Sequence, residues 1–438
     1  MSQLTLSDIA QIVDCEHKTA PSTIGEPFGY SVGTRALNGH GINLSECKPV
    51  SQETYLAWSR RAELVQGDII FAREAPVGGL GLVNGKTRLC LGQRTVLIRP
   101  NPNVVDSNYL YYLLSSEKCQ RQMIEMSTGT TVLHINVADV RNFKLDELPR
   151  IEIQRAIGKV LFQIEQKIEV NQQIASTLEQ IAKTIFKSWF VDFDPVHAKA
   201  RGEQPVGMDA DTAALFPDSF EDSELGPIPS GWKPELLGSL VELTKGKSYK
   251  SIELEPSDVA LVTLKSFKRG GGYRHDGLKA YSGKFKESQV IRSGDLIVAM
   301  TDVTQAADVV GKPAIVASTG KYSELVASLD VGIIRPKSQS VTKNFLYFLF
   351  LTTEFDAQVR AHASGTTVLH LGADAIPSFP MCLPSQEVIN AFSEIVNPCI
   401  AQIDSLSQQN SNLVEIRDAL LPRLISGELE IPAELLEA

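Results

Sequence analysis

Cysteine is scarce and scattered. The six in 438 residues (Cys15, Cys47, Cys90, Cys119, Cys382 and Cys399) form no C-x-x-C pair and lie in no Cys/His cluster with zinc spacing. Reduced, buried thiols are expected, and no structural metal. Also missing is any run of about 18 apolar residues, the length a membrane-crossing helix needs. The first fourteen residues mix acidic and polar side chains with apolar ones, unlike a secretory signal, so the chain reads as cytoplasmic with no membrane partner. Signature loops of several enzyme classes are absent as well. There is no G-x-x-x-x-G-K-[ST], no G-x-S-x-G elbow, no H-E-x-x-H, and no Asp/Asn-Pro-Pro-aromatic motif for methylating an amine. Gly79-Leu-Gly-Leu-Val-Asn84 lacks the third glycine of a dinucleotide fingerprint and reads as a turn between strands. The chain is expected not to be catalytic by itself.

With 43% hydrophobic and 21% charged residues the composition is that of a globular protein, long enough for two to four folded units. A net charge of -10 argues against a protein that coats nucleic acid through a uniformly basic surface. The charge is uneven, however. Between Lys245 and Lys286 stand ten basic residues against four acidic ones, whereas Gly202 to Ser230 holds seven acids and no Lys or Arg.

The sequence also repeats itself. Ser127-Thr-Gly-Thr-Thr-Val-Leu-His-Ile135 returns as Ala363-Ser-Gly-Thr-Thr-Val-Leu-His-Leu371, with the glycines 236 positions apart. Ile98-Arg-Pro100 pairs with Ile334-Arg-Pro336, and Asn108-Tyr-Leu-Tyr-Tyr-Leu113 with Asn344-Phe-Leu-Tyr-Phe-Leu349, at the same offset. Gly67-Asp68 matches Gly294-Asp295 at 227, so the copies differ by nine residues upstream. Each copy opens with short apolar runs punctuated by Gly and Pro, which predicts mixed strands and loops. One helix around Asn108 to Ser115, and around Asn344 to Thr352, should precede the GTTVLH segment.

After Pro149 the apolar period changes. Ile157, Leu161, Ile164 and Ile168 recur at alternating four and three, and the seam continues through Leu178 and Ile185. The second copy supplies Phe392, Ile395, Leu406, Leu413, Ile416 and Leu420, with Pro422 and Ser426-Gly427 as expected terminators. Two long helices are predicted, about 50 Å each at 1.5 Å per residue. Asp192 to Pro234 is rich in Pro, Gly and Asp, a composition that reads as an extended connector.

Candidate binding residues follow from charge and loop chemistry. Lys265, Lys268, Arg269, Tyr273 and Arg274 interleave cations and an aromatic around three glycines, a pattern suited to phosphates and guanine edges. Arg60, Arg61, Arg73, Arg88 and Arg94 are scattered candidates in the first copy. Thr130, Thr131, Thr366 and Thr367, beside small glycines, read either as structural turns or as hydroxyls offered to phosphate. His134 and His370 read as hydrogen-bonded core histidines.

The alternation of duplicated modules and long helices resembles the specificity subunit of type I restriction-modification systems. The helix ends Ile185-Phe-Lys-Ser-Trp-Phe-Val-Asp-Phe-Asp-Pro195 and Ala419-Leu-Leu-Pro-Arg-Leu-Ile-Ser-Gly-Glu-Leu429, together with the Gly-Thr-Thr-Val-Leu repeats, carry the resemblance. It implies an α+β chain with pseudo-twofold symmetry: two mixed α/β target-recognition domains (1–150 and 235–384) and two long helices (151–190 and 385–425) that pair as an antiparallel coiled coil. A connector (191–234) and a tail (426–438) complete it. The resemblance further implies double-stranded DNA as ligand, each recognition domain reading one half of a bipartite site. Implied protein partners are two methyltransferase subunits and restriction subunits, which use S-adenosylmethionine, ATP and Mg; this chain would bind no cofactor. Two rival readings fit the sequence less well. A fused methylase-nuclease would need more chain than remains, and a coiled-coil protein adaptor would leave the duplicated basic module without a role.

Overall fold

The computed structural model describes residues 4–37, 41–129, 133–303, 306–318, 320–432 and 434. Two compact units divide the chain: Met1–Asn171 with Gln408–Ala438, and Gln172–Ser407. Each contains a globular module and part of each of two 40-residue helices, Ile151–Phe190 and Gln386–Ile425.

In the first unit a four-stranded antiparallel sheet runs in the order Ala10–Asp14, Thr95–Pro100, Ile69–Ala72, Leu80–Leu82. Ile69-Ile-Phe-Ala72 is buried along its whole length because both faces of this sheet are covered. One face (Ile69, Phe71, Val96, Ile98) packs on Tyr109, Leu110, Ile157 and Leu161. The other (Ile70, Ala72, Leu97) packs on Val32, Leu89 and Leu91 of a small sheet of Lys48–Val50, Gly29–Val32 and Leu89–Leu91. Alternation at period two delivers both faces from the same strands. Gly79 and Gly81 are needed for this packing: a Cβ on them would lie 2.3 Å from the Leu37 carbonyl oxygen and 2.4 Å from Ile42 Cγ1. Their segment is thus a strand edge packed against a neighbour.

The second unit has a sheet of the same order and direction: Val241–Lys245, Val331–Pro336, Leu296–Ala299, Pro313–Ile315. Ile334 pairs with Leu296 as Ile98 pairs with Ile69. After the sheet each module carries two helices where one was expected: Ser107–Ser115 and Glu117–Met126, then Lys343–Leu349 and Thr353–His362. The break comes from Ser116 and Thr352, whose hydroxyls accept from the Cys119 and Phe355 amides and so cap a new helix.

The long helices meet their partners inside each unit. In the first, Asn171 Nδ2 donates to Asn410 Oδ1 at 2.9 Å and Arg417 Nη1 to Glu165 Oε2 at 3.2 Å, so one stretch ascends as the other descends. In the second, Phe186, Trp189 and Phe190 pack on Phe392 with ring centroids 5.5, 6.2 and 5.2 Å apart. Ile157, Leu161, Ile168, Phe392 and Leu406 are buried as the seam predicted. Ile164, Leu178, Ile185, Leu413 and Leu420 are half-buried. Ile395 and Ile416 are 41% and 49% exposed, which corrects the seam, and Val396 is buried instead. The buried stripe is broader than a heptad line because these helices pack on modules as well as on helices, and a 3.6-residue period drifts from seven. Pro422 does not end the second helix. It lies in the last turn, and Gly427 at φ +74° follows the true end at Ile425.

Residues 191–234 are folded rather than extended. Helices Asp194–Ala200 and Ala210–Ala214 and the hairpin Phe220–Ser223/Gly226–Pro229 place Val196, Phe216 and Trp232 in the second unit's core. Their apolar anchors outweigh the loop-forming composition that surrounds them.

Candidate nucleic-acid interface

In the second unit, Thr263 caps a single turn, Leu264–Ser266, by accepting from the Lys265 amide at 3.3 Å. The chain then passes three successive glycines at φ +77°, +110° and +99°, a run no side-chain-bearing residues would hold cheaply. The loop is pinned, not loose. Lys268 N donates to Gly272 O, Gly270 N to Asp308 O, Gly272 N to Pro313 O and Arg274 N to Ser266 O, all at 2.8–2.9 Å. Lys265, Lys268, Arg269 and Arg274 are exposed on it, and Arg269 Nε lies 3.9 Å from Asp308. Tyr273 differs from the expectation of an outward contact. It packs against the sheet core, its hydroxyl is buried with no partner among the described residues, and burial raises its pKa.

Beside a second four-stranded sheet of this unit, ordered Lys279–Ala280, Val259–Val262, Glu324–Ala327, Val290–Ile291, lies an open groove of about 560 Å³ lined by Glu255, Pro256, Ser257, Lys279, Lys321 and Tyr322. Lys279 Nζ stands 5.8 Å over the Tyr249 ring and Lys321 Nζ 5.5 Å over Tyr322, within cation–π range. Lys321, Tyr322 and Tyr249 escaped the sequence reading. Lys279 and Tyr249 fall within the basic run, where the tyrosine carries no charge signal, and Lys321 and Tyr322 come from a distant loop.

The first unit's arginines are already engaged. Arg61 Nη1 donates to the Cys15 carbonyl at 2.9 Å and its Nε sits 3.4 Å from Glu16. Arg73 is largely buried, 3.8 Å from Asp14, and Arg94 is 3.0 Å from Glu74. Arg60 Nε donates to the Ala57 carbonyl, and Arg88 lies 4.5 Å over the Phe28 ring. Asp14, Cys15 and His17 form a group of metal-capable side chains. Asp14 is shared between the His17 imidazole at 3.1 Å and Arg73 at 3.8 Å, and burial raises the Cys15 thiol's pKa, which keeps the thiol neutral. All six cysteines are free, four of them buried.

Of the GTTVLH repeats, Thr130 and Thr131 lie outside the described residues. Thr366 and Thr367 are exposed at the tip of a hairpin, Ala363–Ser364 with Leu369–Leu371. Gly129 and Gly365 have φ +112° and +128°, as the turn reading requires. The histidines part company: His134 is half-buried and 3.2 Å from Thr128 Oγ1, whereas His370 is exposed, which corrects its assignment to the core.

Among the described residues no helix is long and apolar enough to cross a membrane. What remains is a chain of two like modules and two long helices, one module bearing a pinned basic loop. The family model of the type I restriction modification DNA specificity domain matches residues 3–180. The HindI specificity subunit of Haemophilus influenzae is 27% identical over 427 residues, covering 87% of this chain and 90% of that protein. The MjaIX specificity subunit of Methanocaldococcus jannaschii is 26% identical, covering 84% of this chain and 78% of its own. In fold the chain is similar to the crystal structure of a type I S subunit from M. genitalium, with a TM-score of 0.58, 14% identity and coverage of 98% and 96%. The chain is thus similar to specificity subunits of type I restriction-modification systems over most of its length, and these relatives give the protein-adaptor reading no support.

Proposed function

We propose that this chain is the non-catalytic DNA-reading subunit of a type I complex, each globular module reading one half of a bipartite, asymmetric duplex site. The observation that carries the reading is the recurrence of one sheet order and one GTTVLH sequence in two modules otherwise different in loops and charge. A shared frame with divergent loops suits two different half-sites. The long helices pair as an antiparallel coiled coil of about 60 Å per helix at 1.5 Å per residue, related by a pseudo-twofold exchange of their halves, and act as the spacer. Two readers on one face of a duplex need about one helical turn, ~34 Å, between them. The same helices dock two methyltransferase subunits, which bring S-adenosylmethionine, and the restriction subunits, which bring ATP and Mg.

Modification mapping tests the reading. The chain is expressed with its methyltransferase subunit in a methylation-free host and the genome is sequenced for N6-methyladenine. A single bipartite motif with a fixed gap is expected. A stable complex that binds no DNA overturns it.

A further inference from the structure

In the first unit the two long helices meet through two polar pairs. Asn171, wholly buried, donates through Nδ2 to Asn410 Oδ1 at 2.9 Å, and Asn410 Nδ2 reaches the Ile168 carbonyl at 3.4 Å. Further along the second helix, Arg417 Nη1 donates to Glu165 Oε2 at 3.2 Å, the two side chains being 11% and 27% exposed. Neither pair is the most stable way to fill a helix seam. Asn171 Oδ1 is buried with no partner among the described residues, and an unpaired buried acceptor costs stability. A largely buried ion pair is often no more stable than apolar residues of like volume.

The same chain shows that this frame accepts apolar residues. At positions 235 apart, Asn171 matches Leu406, Asn410 matches Ala175, Glu165 matches Ile400 and Arg417 matches Ala182. In the second unit Leu406 and Ala182 are buried and Ala175 and Ile400 half-buried. Polar pairs that stand where Leu, Ile and Ala serve an equivalent frame point to choice of partner rather than to strength.

Which partner is chosen follows from the register. Asn171 meets Asn410 and Glu165 meets Arg417 only when the first long helix pairs with the second. Two copies of the first helix in the equivalent antiparallel register would set Asn171 against Ala175, and Glu165 against Ala182, of a second copy. Two copies of the second helix would set Asn410 against Leu406 and Arg417 against Ile400. Either self-pairing strands every one of these amides and charges against an apolar side chain.

We infer that Asn171–Asn410 and Glu165–Arg417 form a matching code, which makes two similar helices pair with each other and not with copies of themselves in a second chain. The second helix of another chain would satisfy the code too, but linkage within one chain favours its own through effective concentration. The inference rests on the DNA-reading function proposed above for its purpose: a chain closed on itself keeps two different modules together, whereas self-paired copies would join like modules.

The test uses the full chain, co-expressed with its methyltransferase subunit as two copies bearing different affinity tags. Purification of the unaltered chain on one tag should carry over almost none of the other. Asn171→Leu, Asn410→Ala, Glu165→Ile and Arg417→Ala together import the second unit's residues. They should raise the carried-over fraction about tenfold or more without lowering the thermal midpoint. A charge exchange decides even if the fourfold variant folds poorly. Glu165→Arg alone should raise the fraction, and Glu165→Arg with Arg417→Glu should return it to the unaltered level. Pairs that serve stability alone would lower the midpoint and leave a single copy per complex. Carry-over by the unaltered chain overturns the code, as does a fourfold variant that folds and stays single-copy, or an exchange that restores nothing. Copy number is read without DNA, so a complex that binds no duplex sinks the DNA-reading function separately.

Discussion

The two units carry the same sheet but seal it with different chemistry. At positions 235 apart, the second unit's Phe392, Phe186, Trp189 and Phe190 correspond to the first unit's Ile157, Leu421, Leu424 and Ile425. Phe186, Trp189, Phe190 and Phe392 form an aromatic cluster with Phe345, whose edge-to-face and tilted contacts fall at 5.0–6.5 Å. The first unit fills the corresponding place with aliphatic side chains around Ile157, Leu161 and Leu424. A duplicated module can therefore keep strand order while its helix seam is rebuilt, because a core demands volume and shape and not a particular residue. Surface charge diverges further. The first unit's arginines lie against Glu16, Asp14 and Glu74, whereas the second unit presents Lys265, Lys268 and Arg274 on a glycine-pinned loop.

The aromatic seam offers the largest break. Phe392→Ala should cost about 4 kcal/mol and Ile157→Ala about 3, since the larger ring leaves the larger void. Denaturant unfolding followed by fluorescence reads them apart, because Trp189 and Trp232 report on the second unit and Trp58 on the first. Equal costs would mean that the larger aromatic side chain stabilises its unit no more than the aliphatic one does.

A buried carboxylate recurs in both modules with different partners. Asp68, 1% exposed, accepts from Arg99 Nε at 2.8 Å and Nη2 at 2.7 Å and from the Val65 amide. Asp295, 13% exposed, is held by Lys343 at 2.7 Å, by the Arg292 amide, and more distantly by Arg335 at 4.0 Å. Asp68→Ala should destabilise by about 3 kcal/mol and Asp295→Ala by about 2, because the first strands a more deeply buried network. The thermal midpoints of the two variants test the ranking.

Charge divergence predicts a smaller, functional difference. Replacing Lys268, Arg269 and Arg274 with Ala should weaken DNA binding by about 2 kcal/mol and flatten its salt dependence. The same change at Arg60, Arg61 and Arg94 should cost under about 1 kcal/mol, since those side chains are already engaged. Binding titrations at two salt concentrations decide. An unchanged salt slope in the first variant would remove the basic loop from the interface.

Repetition made much of this legible. The Ile-Arg-Pro strings mark the ends of the matching strands Thr95–Pro100 and Val331–Pro336, and the period change after Pro149 and its counterpart in the second copy located both long helices nearly to the residue. What stayed hidden depends on distance along the chain. That Arg73 lies against Asp14 is invisible to a local reading, as is the meeting of Lys279 with Lys321 in one groove. The 191–234 segment misled because Pro and Gly dominate its composition, while the few residues that anchor it, Val196, Phe216 and Trp232, do so through contacts no periodicity announces. Ile395 and Ile416 misled in the opposite sense, being apolar at heptad positions on a helix that buries a different stripe.

The finest contrast is a single equivalent position that does one job in two ways. Gln120 donates through Nε2 to the Gly78 carbonyl at 3.0 Å, holding a tight turn whose Gly78 amide donates to Ala72 O. At the matching place Asp356 holds the Gly311–Lys312 turn through an ion pair with Lys312, and Arg360 supports it at 2.8 Å. Burial alone would raise the Asp356 pKa, yet the hydrogen bonds from Lys312 and Arg360 outweigh it and leave the pKa lowered. A lowered folded-state pKa gives stability that is present above the unfolded carboxylate value, about 3.9, and is lost as pH falls through the folded value. The amide form in the first module does not titrate. Acidification from pH 6 to about 3 should therefore cost the Gly311 amide hydrogen-exchange protection relative to Gly78, by under about 1 kcal/mol after correction for intrinsic rates. Asp356→Asn should level the two turns across that range. Equal acid sensitivity at Gly78 and Gly311 in the unaltered chain would show that the ion pair does not hold the turn.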